Sequence, residues 1–309
     1  HPASPCRRHA NIRQDRPGVK GAAGPWLLVA AMSLSACQQP SVPDGKTLVV
    51  TSVFPVYEFT RQIAGNRAQV VSLVPTGVEP HDWEPSPQDM AQVRRARLFV
   101  YNGAGLEPWA EKVKAEVDGK TTAVVSATSG IPLVGGDPHV WLDPTLARME
   151  VETIRAALTR ADPDGTEVYA AQAKAFAAKL DALDERFAAG LRDCARREVV
   201  VSHAAFGYLT RRYRLEQVPV MGLAPESEPS PAALAAIVRL ARQRKVEAVF
   251  FETLVNRRLA DTLAREVGAR TLVLNPIEGL TREEAAAGKG YLDLMAVNLA
   301  NLREGLGCR

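Results

Sequence analysis

"EVYAAQAKAFAAKLDALDERFAAGL", Glu167 to Leu191, decides how the rest of the chain is read. Tyr169, Ala173, Phe176, Leu180, Leu183, Phe187 and Leu191 recur every three or four positions, which is one apolar stripe of a helix. A helix of about 25 residues is roughly 37 Å long, enough to cross a molecule. A helix packed on one sheet would carry the same stripe. The segments on either side favour a bridge between two halves.

Before the long helix, Thr47–Val53, Gln69–Val74, Leu98–Tyr101 and Thr121–Val125 read as strands. Helical pieces near Val56–Ala64, Pro87–Arg95 and Leu106–Val117 alternate with them. After it, Glu198–Val201, Gln217–Val220, Val246–Phe251 and Thr271–Leu274 read as strands. Helices near His203–Tyr213, Pro231–Lys245, Arg257–Val267 and Gly290–Leu306 accompany these. Ser86-Pro87 and Ser230-Pro231 each place a capping serine before a proline at the first helical position. Strand–helix alternation predicts an α/β chain with two lobes, each a mainly parallel sheet flanked by helices. The expected lobes are 46–163 and 192–309, with the bridging helix over 164–191.

The first 36 residues read as a leader. Arg7, Arg8, Arg13, Arg16 and Lys20 against Asp15 give them a net charge of +4, which leaves −1 of the overall +3 for the rest. A near-neutral body gives no electrostatic case for nucleic-acid binding. "PWLLVAAMSLSAC", Pro25 to Cys37, is too short for an ordinary membrane-spanning helix. Leu34-Ser35-Ala36-Cys37 resembles a bacterial lipoprotein cleavage box, with Cys37 as the lipid-bearing residue. A buried helix with a chance cysteine is the plainer alternative. Residues 37–45 then read as a tether. With Cys6 in the leader, Cys194 and Cys308 remain. In an exported domain they are expected to form one disulfide, free thiols being the other outcome.

Histidines carry the chemistry. His1 and His9 lie in the leader. His81 in "GVEPHDWEPSPQD", His139 in "GGDPHVWLDP" and His203 in "EVVVSHAAFGYL" each fall beyond a strand. In parallel-sheet domains ligands bind beyond the carboxyl ends of strands. Gaps of 58 and 64 residues mean that only the tertiary fold can bring the three together. Converging imidazoles suit a transition metal, and a fourth ligand would complete a tetrahedral zinc site. "TLVLNPIEGLT" offers Asn275 and Glu278. Glutamate is the anionic donor, and neutral asparagine is a poor partner for a divalent cation.

"VEPHDWEPSP", "DPHVWLDP", "SHAAFGYL" and "LNPIEGL" resemble, in order, the four metal-site blocks of the metal-specific solute-binding proteins of ABC transporters. The resemblance covers the body from about Lys46 to Cys308. It implies two lobes joined by one rigid helix, little lobe movement, and metal in the cleft. It implies His81 and His139 as ligands from the first lobe, His203 and Glu278 from the second. Many manganese-binding members resemble a pattern of two histidines and two carboxylates. Here the third block holds His203 and the aspartate position reads Asn275, so the pattern is closer to zinc-binding members. Manganese remains the alternative metal. The histidine-rich loop of some zinc-binding members is absent, because no histidine lies between His81 and His139.

The implied function is extracytoplasmic capture of zinc and delivery to an ABC permease with its ATPase. The protein would be a monomer anchored at the outer face of the cytoplasmic membrane, binding no nucleic acid. A metal-binding adhesin is an alternative reading, and a zinc hydrolase would require the fourth position to be open. No G-x-S-x-G elbow or glycine-rich phosphate loop is present. Glu84, Asp137, Asp143 and Glu252 are candidate partners for the ligand imidazoles, Glu252 foremost. Trp83 and Trp141, each two residues past a ligand histidine, would exclude water or simply pack. Ordinary imidazole values predict that metal affinity falls below about pH 6.

Overall fold

The computed structural model describes residues 46–117, 122–223, 231–254 and 258–309. The expected leader, Cys37, the tether, Cys6 and the Ser230 cap lie outside the described residues. The first half runs β1 (Thr47–Thr51), α1 (Phe54–Ala64), β2 (Ala68–Ser72), α2 (Pro87–Arg95), β3 (Leu98–Tyr101), α3 (Ala110–Val117), β4 (Ala123–Ser126). Two helices follow, α4 (Pro144–Ala161) and α5 (Thr166–Gly190), separated by a 3-10 turn at Pro163–Gly165. The second half runs β5 (Glu198–Val201), α6 (Gly207–Arg212), β6 (Glu216–Pro219), α7 (Pro231–Gln243), β7 (Ala248–Phe251), α8 (Arg258–Val267), β8 (Arg270–Val273), α9 (Arg282–Ala286) and α10 (Tyr291–Leu306).

Each half forms a four-stranded, wholly parallel sheet. The orders are β2-β1-β3-β4 and β6-β5-β7-β8, the same arrangement twice. The central strands are apolar on both faces, as parallel strands under helices must be: all four residues of β3 are buried. In each sheet the chain leaves the first strand in one direction and later returns to its other side. The resulting switch point lies beyond the first and third strands, β1/β3 and β5/β7, where such sheets leave a crevice.

Sequence explains the helix starts. At α2, Ser86 Oγ accepts the Asp89 N–H and the Asp89 carboxylate accepts the Ser86 N–H, a reciprocal capping box with Pro87 at the first position. The stripe of α5 is buried from Tyr169 to Phe187. Burying each large member of the stripe contributes about 1.5–3 kcal/mol. Near its middle Phe176 packs on Phe59 of α1, ring centroids 5.6 Å apart. Near its end Phe187 stacks on Tyr213, beyond α6, at 5.2 Å. The helix therefore touches both halves. Its burial joins them: residues of the first sheet, α4, α5, the second sheet and α10 form one continuous apolar cluster.

Several expectations change. The strand–helix pattern read from sequence includes no helix at α4, although Ala147, Val151, Ile154, Ala157 and Leu158 form its buried face and Asp143 caps it ahead of Pro144. The connection is thus a pair of helices, with α5 the longer. The helix expected from His203 begins only at Gly207, which leaves His203 in a loop free to turn toward the crevice. Leu106 likewise precedes α3, which begins at Ala110. Cys194 and Cys308 are joined by a disulfide, 114 residues apart in sequence. It ties the entry to β5 to the exit of α10. Among the described residues no helix is long and apolar enough to cross a membrane.

Candidate metal centre

Loops at the carboxyl ends of both sheets supply the site. Beyond β2 the chain makes a one-turn 3-10 helix, Pro80–Asp82, capped by the Glu79 carboxylate, which accepts the His81 N–H at 3.4 Å. His81 projects from that turn. Beyond β4, Asp137 Oδ1 accepts both the backbone N–H of His139 at 3.0 Å and its Nδ1–H at 2.7 Å. One carboxylate therefore fixes the backbone and the ring of the same residue. His203 directly follows Ser202 beyond β5. Glu252, at the end of the adjacent β7, accepts the His203 Nδ1–H at 2.8 Å. This pair sits at the switch point of the second sheet.

Glu278 lies beyond β8, and Asn275 shapes its loop. The Asn275 side-chain oxygen accepts the Ile277 N–H at 2.7 Å, while its amide nitrogen donates to Glu284. Its backbone exchanges hydrogen bonds with the Asn298 side chain at 2.8 and 2.7 Å. Asn275 therefore holds the turn, and its polar atoms are committed elsewhere. The turn forces Ile277 to a φ of 63°, a left-handed conformation that is unusual for a β-branched residue. The next side chain, Glu278, then enters the crevice.

The four groups meet. Glu278 Oε1 lies 2.8 Å from His139 Nε2 and 3.5 Å from both His81 Nε2 and His203 Nε2. One ligating atom from each residue lies within 4.8 Å of all the others. Donors bound at about 2.0 Å around tetrahedral zinc stand roughly 3.3 Å apart, so small adjustments close this cluster on an ion. His139, His203 and Glu278 are buried, and the His81 ring is 8% exposed. The Nε2 atoms of His81 and His203 are buried without a hydrogen-bond partner. An unsatisfied buried polar atom costs about 1–3 kcal/mol, which an ion accepting those lone pairs would remove.

Electrostatics agree. Burial alone would push the Glu278 carboxyl up, but the His139, His203 and His81 rings around it hold it well below the usual range. Burial opposes a charged His203 ring, yet the neighbouring Glu252 and Glu278 carboxylates outweigh it and push that group up to about 10. His139 is raised for the same reason, burial being outweighed by Asp137 and Glu278. The buried carboxylates thus draw positive charge into the crevice. Glu79, a residue that sequence reasoning passed over, reports the same field: burial and then the Glu278 charge push its carboxyl up to about 8.

The fold brings all three body histidines and Glu278 together. Glu252 meets an imidazole, and so does Asp137. Asp143 does not: its carboxylate accepts the Thr145 N–H and hydroxyl and caps α4. Glu84 is exposed to solvent. Trp83 packs edge-on against Trp109, ring centroids 5.2 Å apart. Trp141 is fully buried with its ring edge-on to His139 at 5.3 Å, and it donates its indole N–H to the Pro276 carbonyl at 2.7 Å.

Comparison with known proteins places this geometry in context. A family model described as ZnuA, zinc-uptake complex component A, periplasmic, matches residues 49–305. The high-affinity zinc uptake system protein ZnuA of Bacillus subtilis is 40% identical over 301 residues, covering 91% of this chain and 94% of the relative. The crystal structure of the Zn(II)-bound ZnuA-like domain of Streptococcus pneumoniae AdcA superposes with a TM-score of 0.77 at 40% identity, covering 85% of this chain and 99% of that one. The laminin-binding protein Lmb of Streptococcus agalactiae, described as bifunctional with adhesin and metal transporting activity, superposes with a TM-score of 0.79 at 32% identity, covering 84% and 99%.

Proposed function

Because the chain belongs to the ZnuA family of zinc-uptake proteins, we propose that it captures one zinc ion outside the cytoplasmic membrane and passes it to an ABC permease. His81, His139, His203 and Glu278 are the ligands in this reading. One observation carries it: two buried imidazole nitrogens without partners, those of His81 and His203, face the ionised oxygen of Glu278. Three neutral nitrogens and one carboxylate suit zinc, whereas manganese favours more oxygen donors. Glu278 also supplies the negative charge that a divalent ion needs once water is excluded.

Asp137 and Glu252 hold the Nδ1 protons of two ligand rings, which leaves Nε2 as the ligating atom in each. No turnover chemistry belongs to this reading, since Glu278 occupies the position that a reactive water would need. The protein would work as an extracytoplasmic lipoprotein, with Cys37 as the lipid-bearing residue.

The test is competitive titration of the purified protein against a zinc chelator. One site per chain is expected, with zinc bound more tightly than manganese. Glu278→Ala should weaken zinc binding at least tenfold, the lower end of the effect of disturbing even the partners of ligands. Absence of a saturable site, or tighter binding of manganese, would overturn the proposal.

A further inference from the structure

Glu278 follows the last strand of the second sheet, yet its loop is fastened to the first lobe. The Phe54 N–H donates to the Glu278 carbonyl at 3.1 Å, and the Gly77 N–H donates to the Leu280 carbonyl at 2.8 Å. Between them, the Trp141 indole N–H donates to the Pro276 carbonyl at 2.7 Å. Further along, the Tyr291 hydroxyl donates to the Trp141 carbonyl at 2.5 Å, and the Tyr291 ring packs edge-on against Phe59 at 5.0 Å. The donors at Phe54, Gly77 and Trp141 and the acceptor at Trp141 all belong to the first lobe. Residues 276–291 are therefore docked on it, although they come late in the chain.

His203 is held differently. Its own segment meets the first lobe at Tyr208, whose hydroxyl donates to the Asp137 carbonyl and accepts the Val134 N–H, each at 3.0 Å, and whose ring packs with Ile131 and Val140. Its ring partner, Glu252, directly follows β7 of the second sheet. Arg212 and Tyr213 nearby reach Asp184 on α5, and the Arg212–Asp184 pair is partly exposed. Two helices run between the lobes. One is α5; the other is α10, whose Tyr291 end lies in the first lobe while Gly305 lies against Phe250, Ala248 and Leu272 of the second sheet. A rotation of the second sheet about these helices would carry Glu252 with it, while hydrogen bonds hold residues 276–291 on the first lobe.

We infer that Trp141 is a positioning residue for Glu278. By fastening the Glu278 loop to the first lobe, it makes the carboxylate travel with His81 and His139, and His203 becomes the ligand whose departure opens the site. The ligands thus divide three to one, not two to two as their order in the chain implies. The inference rests on the proposed reading that the cluster holds zinc. It assigns Trp141 a role that buried packing does not require: the indole N–H selects which lobe carries the anionic ligand.

The experiment uses spin labels on ketone-bearing residues, so that no cysteine is touched, at three exposed positions: Gln88 on α2, Ala286 on α9 and Gln243 on α7. Stripping zinc from the otherwise wild-type protein should change the Gln88–Gln243 distance and leave the Gln88–Ala286 distance unchanged. In Trp141→Phe, which keeps an aromatic ring but removes the donor, the Gln88–Ala286 distance should also become zinc-dependent. Zinc release to a chelator should quicken by about tenfold or more, and the visible spectrum of the cobalt-substituted protein should shift. A purely structural role would lower thermal stability and leave all three readouts unmoved, which would overturn the assignment.

In the wild-type background, Ala286 separating from Gln88 in step with Gln243 would also overturn it, as would two distances that never change. Failure of the wild-type protein to take up zinc is a separate result, seen before any label is read, and it overturns the proposed function itself.

Discussion

Zinc binding should release protons well above the pH at which histidines ordinarily titrate. The perturbation is buffer identity at fixed pH 8. Before zinc binds, the Glu252 and Glu278 carboxylates beside the ring outweigh burial and push His203 up to about 10. A group with that value is about 99% protonated at pH 8, against about 3% for an ordinary imidazole near 6.5. Zinc takes the lone pair that carries the proton, so at least one proton should leave per ion bound, and His139, raised by Asp137 and Glu278 against its burial, adds to the count. Affinity should then rise about tenfold, or about 1.4 kcal/mol, for each proton and pH unit as pH climbs from 7 toward 10. Ordinary imidazole values place the fall of affinity below about pH 6; the buried carboxylates move it upward. The assay is calorimetry in Tris, HEPES and phosphate, where the observed enthalpy plotted against buffer ionisation enthalpy has a slope equal to the protons released. A slope of one or more at pH 8, reduced in Glu252→Gln, is expected. A slope near zero at pH 8 would refute the reasoning.

Three further outcomes follow from the packing. Glu150 is fully buried on α4 with both carboxylate oxygens unpartnered, and burial, then the Glu107 charge, raises its carboxyl well above the usual range; a raised folded value means stability is lost as pH rises above about 4.5, so Glu150→Gln should raise the melting temperature more at pH 8 than at pH 5. Reduction of Cys194–Cys308 should cost about 2–5 kcal/mol of stability in denaturant titration, while alkylation of both thiols in the unreduced, denatured protein would show that the bond does not form. A Cβ on Gly207 would stand 2.7 Å from Asp137 Oδ2, so Gly207→Ala should turn the His139 ring and weaken zinc binding in chelator competition, whereas unchanged affinity would mean that Asp137 moves aside freely.

Much of this architecture was legible because local signals agreed. The α5 stripe appears in the chain as it appears in the core, and β3 and β5 match their apolar runs residue for residue. Helix α4 was equally legible in principle. Its apolar face begins at Pro144, the last residue of the "DPHVWLDP" block, so the helix start and the metal-site motif overlap. The choice among acidic partners was not legible. Asp137 lies two residues before His139 and Asp143 four after it, both within reach on sequence alone, and only the 3-10 turn at Val140–Leu142 sends one to the ring and the other to a helix end. The attachment of the Glu278 loop to the first lobe rests on hydrogen bonds between residues more than 130 positions apart, such as Trp141 to Pro276. Such pairings leave no periodicity or spacing to read.

The continuous apolar cluster through both lobes also bears on how the chain folds. Lobes with separate cores could unfold one at a time, each with its own midpoint. Each lobe here keeps a smaller outer core, around Phe99 and Trp109 in the first and around Val249 and Leu263 in the second, but Phe59, Phe176, Leu183, Phe206, Phe250 and Tyr291 belong to one buried body, so neither sheet can lose its inner packing without stripping apolar surface from the other. Heating should give a single transition with equal calorimetric and van't Hoff enthalpies. An ion bound in the crevice then stabilises the entire cooperative unit, by about 2.7 kcal/mol when free zinc is a hundred times its dissociation constant. Capture of the cargo would therefore protect both halves of the molecule together from unfolding and proteolysis.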